Sequence, residues 1–199
     1  MPATALAPGF ADAPREAQEV FKAVMWALAQ PGRPVPLPGR LAPPAPLSPE
    51  MASIALALLD YETPVWLDPA LAAAPAVVAF LRFHTSAPLV EAPAAARFAL
   101  VADAATMPDF THFALGEPEY PDRSTTLIVQ VERLGEGPLL LEGPGIATRV
   151  GFTAAPLPAD FAARLVANRQ IFPLGVDLIL VAPGAVLGLP RSARVIAEA

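Results

Sequence analysis

Near the C-terminus, Val176-Asp177-Leu178-Ile179-Leu180-Val181 and Val186-Leu187-Gly188-Leu189 form two apolar runs around Ala182-Pro183-Gly184-Ala185. Side chains alternate between the faces of a strand. Pairing Leu180 with Leu187, Ile179 with Gly188 and Leu178 with Leu189 therefore puts Val176, Leu178, Leu180, Leu187 and Leu189 on one face. Ile179, Val181, Val186 and Gly188 take the other, and neither face suits water. Such a hairpin must be covered on both sides, by helices or by a partner, which predicts a layered α/β structure rather than a half-solvated antiparallel sheet. A two-residue Pro-Gly connection would splay the strands, so the spacing predicts a wider loop closed by Val181 and Val186.

Upstream, Ala17, Val20, Phe21, Val24, Met25 and Leu28 recur at helical spacing behind Asp12-Ala13-Pro14, and Gln30-Pro31-Gly32 stops the helix. Lys22 falls just off this stripe, three residues after Glu19, and reads as half of a solvated pair. The proline-rich stretch Arg33 to Pro46 reads as an extended, irregular crossing and a docking surface short of backbone donors. Ser48-Pro49-Glu50 opens a helix that is apolar nearly all round to Leu59, hence buried. Further elements are expected as strands at 64–67, 87–90, 98–101 and 125–131, helices at 75–83 and 158–168, and one helical turn within 109–115. A strand at 138–141 is expected beside the 125–131 strand, across Gly135-Glu136-Gly137. The mixed order, with no internal repeat and no long linker, predicts one α/β domain over 1–199, a mixed sheet covered by helices with residues 1–8 flexible.

Composition narrows the function. Hydrophobic residues make up 54% of the 199 and charged residues 16%, which excludes a disordered chain despite 26 prolines. The net charge of −6, with no Lys/Arg cluster, argues against nucleic acid and anionic membranes as partners. With no cysteine, the chain has no thiol catalysis, disulfide, cysteine-bound zinc or iron-sulfur cluster of its own. The N-terminus lacks a basic leader, and the longest apolar stretch, 69–81, is broken by Pro75 and short of the ~20 residues a membrane span needs. A cytoplasmic protein is expected.

Candidate chemistry is sparse. Arg82 and His84 stand at a predicted helix end, where they can meet an anion or simply complement the negative terminus, the second being preferred. Arg123 and Arg191 are further phosphate-binding candidates. Asp177, at the start of a buried strand, needs a partner, for which Arg191 and Arg123 are the candidates. His112 lacks a partner at metal-ligand spacing. Glu142-Gly143-Pro144-Gly145-Ile146 lacks the residues of a phosphate loop and reads as a tight turn. Ser124-Thr125-Thr126 lacks a nucleophile elbow and reads as strand entry.

Taken in order, Gly9-Phe10, Ala29-Gln30-Pro31-Gly32, Thr63-Pro64-Val65-Trp66-Leu67, Arg82-Phe83-His84-Thr85, Thr126-Leu127-Ile128, Phe172-Pro173-Leu174-Gly175-Val176-Asp177 and Leu189-Pro190-Arg191 resemble the PhnH family. PhnH is a subunit of the bacterial carbon-phosphorus lyase system for phosphonate use. The resemblance implies a fold similar to that of pyridoxal-phosphate-dependent transferases, a homodimer, and a core complex with PhnG, PhnI and PhnJ. That complex displaces adenine from a nucleoside triphosphate with an alkylphosphonate. The resemblance carries over no catalytic residue, cofactor or metal. A pyridoxal enzyme needs a lysine for its Schiff base, and the sole lysine is Lys22 on an apparently exposed helix face. The fold is therefore expected without the cofactor. The alternative is a free-standing nucleotide- or phosphonate-binding protein or small transferase that uses Arg82, His84, Arg123 or Arg191.

Overall fold

The computed structural model describes residues 6–196. Local chemistry sets the helix starts. Asp12 accepts a hydrogen bond from the Arg15 N–H and opens α1 (Ala13–Ala29), with Pro14 in its first turn. Ser48 does the same for the Met51 N–H at the start of α2 (Pro49–Leu58). Asp68 caps the short α3 (Pro69–Ala72), and α4 follows as Pro75–Thr85. The last helix, α5, is Phe161–Gln170. In α1 the buried stripe is Val20, Ala23, Val24 and Ala27, while Phe21 and Met25, expected inside, are about half exposed together with Trp26. The stripe is turned because the small Ala23 and Ala27 let the helix backbone close directly onto the sheet.

Strands β2 (Val65–Leu67), β3 (Leu89–Val90), β4 (Phe98–Val101), β5 (Thr126–Gln130) and β8 (Asp177–Ala182) pair in parallel in the order β3-β2-β4-β5-β8. Antiparallel β9 (Ala185–Leu189) and then β1 (Val35–Pro36) complete the seven-stranded sheet. The predicted hairpin register holds: Val181 faces Val186, Leu180 faces Leu187, Ile179 faces Gly188 and Leu178 faces Leu189. The wider loop does not, because Ala182 also pairs with Ala185 and leaves only Pro183-Gly184 as the connection. Gly184 takes φ +75°, its N–H donates to Glu50 Oε1 and its carbonyl accepts from the Leu37 N–H. Those outside contacts hold a turn that would otherwise splay the strands.

Both faces of the hairpin are buried as its sequence requires. Ile179, Val181 and Val186 join a core with α1, α2 and α4, and Leu178, Leu180, Leu187 and Leu189 join a second core containing Trp66, Leu141, Phe152 and Phe161. Gly188 permits the first contact, since a Cβ there would lie 2.6 Å from the Ala27 carbonyl carbon and oxygen. The second face is covered by α5 and by a separate three-stranded sheet, not by helices alone. That sheet is β7 (Val150–Ala155), β6 (Arg133–Glu142) and β10 (Arg194–Ile196), with β6 central. Pro138–Leu141 therefore does not flank β5 as expected. β4 and β8 occupy both edges of β5, and β6 turns into the second layer with Leu141 buried. The proline-rich crossing is likewise not wholly irregular, since Val35 and Pro36 pair with Val186 and Ala185.

Candidate functional site

In an open parallel sheet the ligand crevice lies beyond the strand C-termini where the winding reverses, here between β2 and β4. Asp68 stands at that point, only 3% exposed. Its carboxylate accepts N–H groups from Leu71 at 2.9 Å, Ala102 at 2.8 Å and Asp103 at 2.9 Å. Three main-chain donors balance the cost of burying this charge, so Asp68 ties α3 to the end of β4.

Beyond β5 and β8 lies a second groove, beside Glu50 and Gln130. Gln130 Oε1 accepts the Ser48 N–H at 2.7 Å and its Nε2 donates to the Pro46 carbonyl at 3.1 Å. Glu50, buried to 6% exposure, accepts the Gly184 N–H at 2.9 Å. Sequence reasoning missed all three residues as site-forming groups. The available signal was a single acidic residue, Glu50, inside an otherwise apolar helix.

The four candidate residues fall in two places. His84, on α4, contacts the Ala7 carbonyl through Nε2 at 2.9 Å, the nitrogen donating, and packs against Phe80 with ring centroids 4.5 Å apart. It anchors the chain ahead of α1, and it stands with Arg82 in the last turn of α4, the helix-end position expected of both. Within the expected flexible stretch 1–8, positions 1–5 lie outside the described residues and Ala7 is this anchor point. Arg82 is exposed and lines an open cleft with Trp66, Leu89, Val90 and Glu91.

Arg191 and Arg123 meet at the 3-10 turn Pro121–Arg123. Arg191 grips the Asp177 carboxylate through Nε and Nη2, donates its own N–H to Asp177 Oδ1 at 2.7 Å, and donates Nη1 to the Pro121 carbonyl at 2.7 Å. Arg123 stacks 4.0 Å over the Tyr120 ring, with Glu117 at 3.7 Å. Asp177 thus finds the expected partner in Arg191. β3, beside the Arg82 cleft, and β8, which begins with Asp177, lie four spacings apart, roughly 19 Å. Arg82 and His84 therefore belong to a different part of the sheet from Arg123 and Arg191.

Two of the remaining local features behave as expected. Glu142-Gly143-Pro144-Gly145-Ile146 is a turn closed by the Ile146 N–H on the Gly143 carbonyl, and buried Thr125 donates to the Ala96 carbonyl at the entry to β5. His112 contacts the Asp109 carbonyl through Nδ1 at 3.2 Å. Among the described residues no three His, Cys, Asp or Glu side chains cluster as metal ligands, and no helix is long and apolar enough to cross a membrane. Lys22 is exposed, but Glu19 pairs with Arg15 and Arg40 in its place. Two carboxyls are held below their ordinary range: Asp109 by hydrogen bonds from Thr111, and Glu142 by those from Arg194 and Arg149.

Comparison with known proteins matches residues 8–196 to the family described as bacterial phosphonate metabolism protein (PhnH). The alpha-D-ribose 1-methylphosphonate 5-triphosphate synthase subunit PhnH of Rhizobium meliloti (strain 1021) is 46% identical over 186 residues, 93% of this chain and 92% of the relative. A Stutzerimonas stutzeri protein named for a C-P lyase subunit role, HtxG, is 38% identical over 82 residues, 41% of this chain and 42% of that one. The chain belongs to the bacterial phosphonate metabolism protein family, PhnH.

Proposed function

We propose that this chain is a subunit of the phosphonate-activating carbon-phosphorus lyase core complex, the ribose 1-methylphosphonate 5-triphosphate synthase, and that it acts there through assembly. The observation that carries this reading is the 46% identity to a subunit of that synthase, spread over more than nine-tenths of both chains. The geometry is consistent with it. Asp68, Glu50, Gln130 and His84, residues where chemistry would be sought, hold the chain's own backbone, and Arg191 holds Asp177 and the Pro121 carbonyl.

Assembly needs a surface, and α1 supplies one. Phe21, Met25 and Trp26 are each about half exposed on this helix, a contiguous apolar stripe rather than scattered single residues. The reading places a second copy of the chain or one of PhnG, PhnI and PhnJ against such a surface, in the cytoplasm. It also takes the fold as a relative of the pyridoxal-phosphate-dependent transferases that works without the cofactor. A seven-stranded sheet in which only β9 runs against the rest supports that likeness, and the exposed position of Lys22 supports use without a Schiff base.

Co-expression with PhnG, PhnI and PhnJ, followed by mass analysis of what co-purifies, tests the proposal. A stoichiometric complex is expected. A chain that stays free of all three would overturn the assembly reading and leave the free-standing binding protein in its place.

A further inference from the structure

Of the thirteen Lys and Arg side chains, seven are paired with carboxylates of the described residues and six, Lys22, Arg33, Arg82, Arg97, Arg133 and Arg169, are not. Among the described residues Arg15, Arg40, Arg123, Arg149, Arg164, Arg191 and Arg194 each have an acidic partner within ion-pair distance. Arg33 and Arg82 have none there and line open grooves. Among the described residues Arg82 is the only cation lining its groove, which is mainly apolar and includes Glu91. Arg33 shares its groove with Arg149 and with Gly32, Gly137 and Gly151.

That groove, about 690 Å³, lies between the end of α1 and the β6–β7 pair. Its glycines are required by packing. Gly32 has φ +77° with Val150 Cγ1 2.8 Å from where a Cβ would stand, a Cβ at Gly137 would meet Thr153 Cβ, and one at Gly151 would meet the Gly137 carbonyl. The ladder also slips here. Gly135 faces Thr153 and Leu139 faces Phe152, so Glu136, Gly137 and Pro138 have no opposite residue in β7. Irregularities of this kind re-aim a strand and collect beside binding sites.

The local charge is positive in an acidic chain. Arg149 and Arg194 share the single carboxylate of Glu142 beside the groove, and Arg33 and Glu136 line it with Arg149. Three cations against two carboxylates leave one excess positive charge, which suits one tetrahedral oxyanion group better than a polyphosphate. Arg149 binds Glu142 through Nε, so its terminal nitrogens keep donor capacity.

We propose that this groove binds the oxyanion of a phosphonate or phosphate monoester through Arg33 and Arg149. The groove and its two arginines stand on geometry, and the naming of phosphonate as ligand and probe rests on the functional reading above. The experiment uses the full chain without partners, so complex formation does not enter the result. Methylphosphonate and inorganic phosphate are titrated separately while the amide signals of Gly32, Gly137 and Gly151 are followed by NMR.

Saturable shifts confined to this groove are expected, with an Arg33→Gln, Arg149→Gln double variant at least about tenfold weaker and Arg82→Gln unchanged. Both arginines are exposed, and the variant's unshifted amide signals elsewhere show that it folds. Equal binding of the two probes supports the site as a general oxyanion site, and tighter methylphosphonate binding supports it as a phosphonate site. Absence of saturable shifts with either probe, shifts centred elsewhere, or undiminished binding in the double variant would overturn the assignment.

Discussion

Removing the Arg191 charge should loosen the end of the central hairpin. In Arg191→Met the stem survives, but the Asp177 carboxylate loses its guanidinium donors and the Pro121 carbonyl loses Nη1. Only the Arg191 main-chain N–H still serves Asp177. Breaking a fully buried pair costs about 3–5 kcal/mol, because a charge is left uncompensated. Here the side chains are 14% and 23% exposed, so water recovers part of that loss and about 2–3 kcal/mol is expected. For a chain of this size the loss corresponds to roughly 5–10 °C in Tm, or about 1 M in the urea midpoint. Arg15→Met is the control, its pair with Glu19 being 73% and 43% exposed, and should cost under about 0.5 kcal/mol. Urea unfolding of both variants, with Asp177→Asn and the Asp177→Asn, Arg191→Met double variant closing a cycle, measures the coupling. An Arg191→Met loss no larger than the control's, or additive single losses, would refute the view that this pair clamps β8 and β9 to the turn at Pro121.

Three further outcomes are expected. Gly188→Ala should destabilise by about 1–3 kcal/mol, since its Cβ meets the α1 backbone, and a thermal melt within 1 °C of the parent would contradict that packing. Asp109 is held below its ordinary 3.8, so the stability it contributes is present above that value and is lost as pH falls through its lower folded value. Thr111→Val removes the leading hydrogen bond and should move the Asp109 titration back toward 3.8, read by carboxyl NMR between about pH 5 and pH 2. The double variant Phe21→Ser, Trp26→Ser should leave the isolated chain's melting nearly unchanged yet reduce recovery with PhnG, PhnI and PhnJ, and undiminished recovery would remove α1 as the docking surface.

How far the sequence reveals this fold depends on whether a pattern is local. The β8–β9 register follows from period-two alternation, and α1 and α2 announce themselves through Asp12, Ser48 and their following prolines. The wrong loop at Pro183-Gly184 has a non-local cause. Glu50 and Leu37, far away in the chain, hold that turn. β7 escapes notice because Val150-Gly151-Phe152-Thr153-Ala154-Ala155 alternates weakly and contains a glycine that only its neighbour, Gly137, explains. The same holds for the candidate site. Arg191 and Asp177 could be paired across the hairpin from the sequence, but Arg33 and Arg149 come together only because α1 ends against the slipped β6–β7 ladder.

The two ends of the large sheet bear on how partners can be met. β1 is the two-residue Val35–Pro36, flanked by Pro34 and Pro38, and β3 is the two-residue Leu89–Val90, preceded by Pro88. Proline offers no N–H, and strands this short present little ladder to an incoming chain, so both ends are blunted against strand addition. The proline-rich crossing also spends backbone groups internally, through the β1–β9 pairs and the Leu37 N–H on Gly184. Its suitability as an extended docking strand is correspondingly reduced. Helix α1, by contrast, has its inner face on the sheet through Ala23, Ala27 and Gly188 and presents Phe21, Met25 and Trp26 outward. The same rotation that lets small residues close against β9 turns the large ones toward solvent. Association through a helix face, rather than by extending the sheet, is the mode this packing favours.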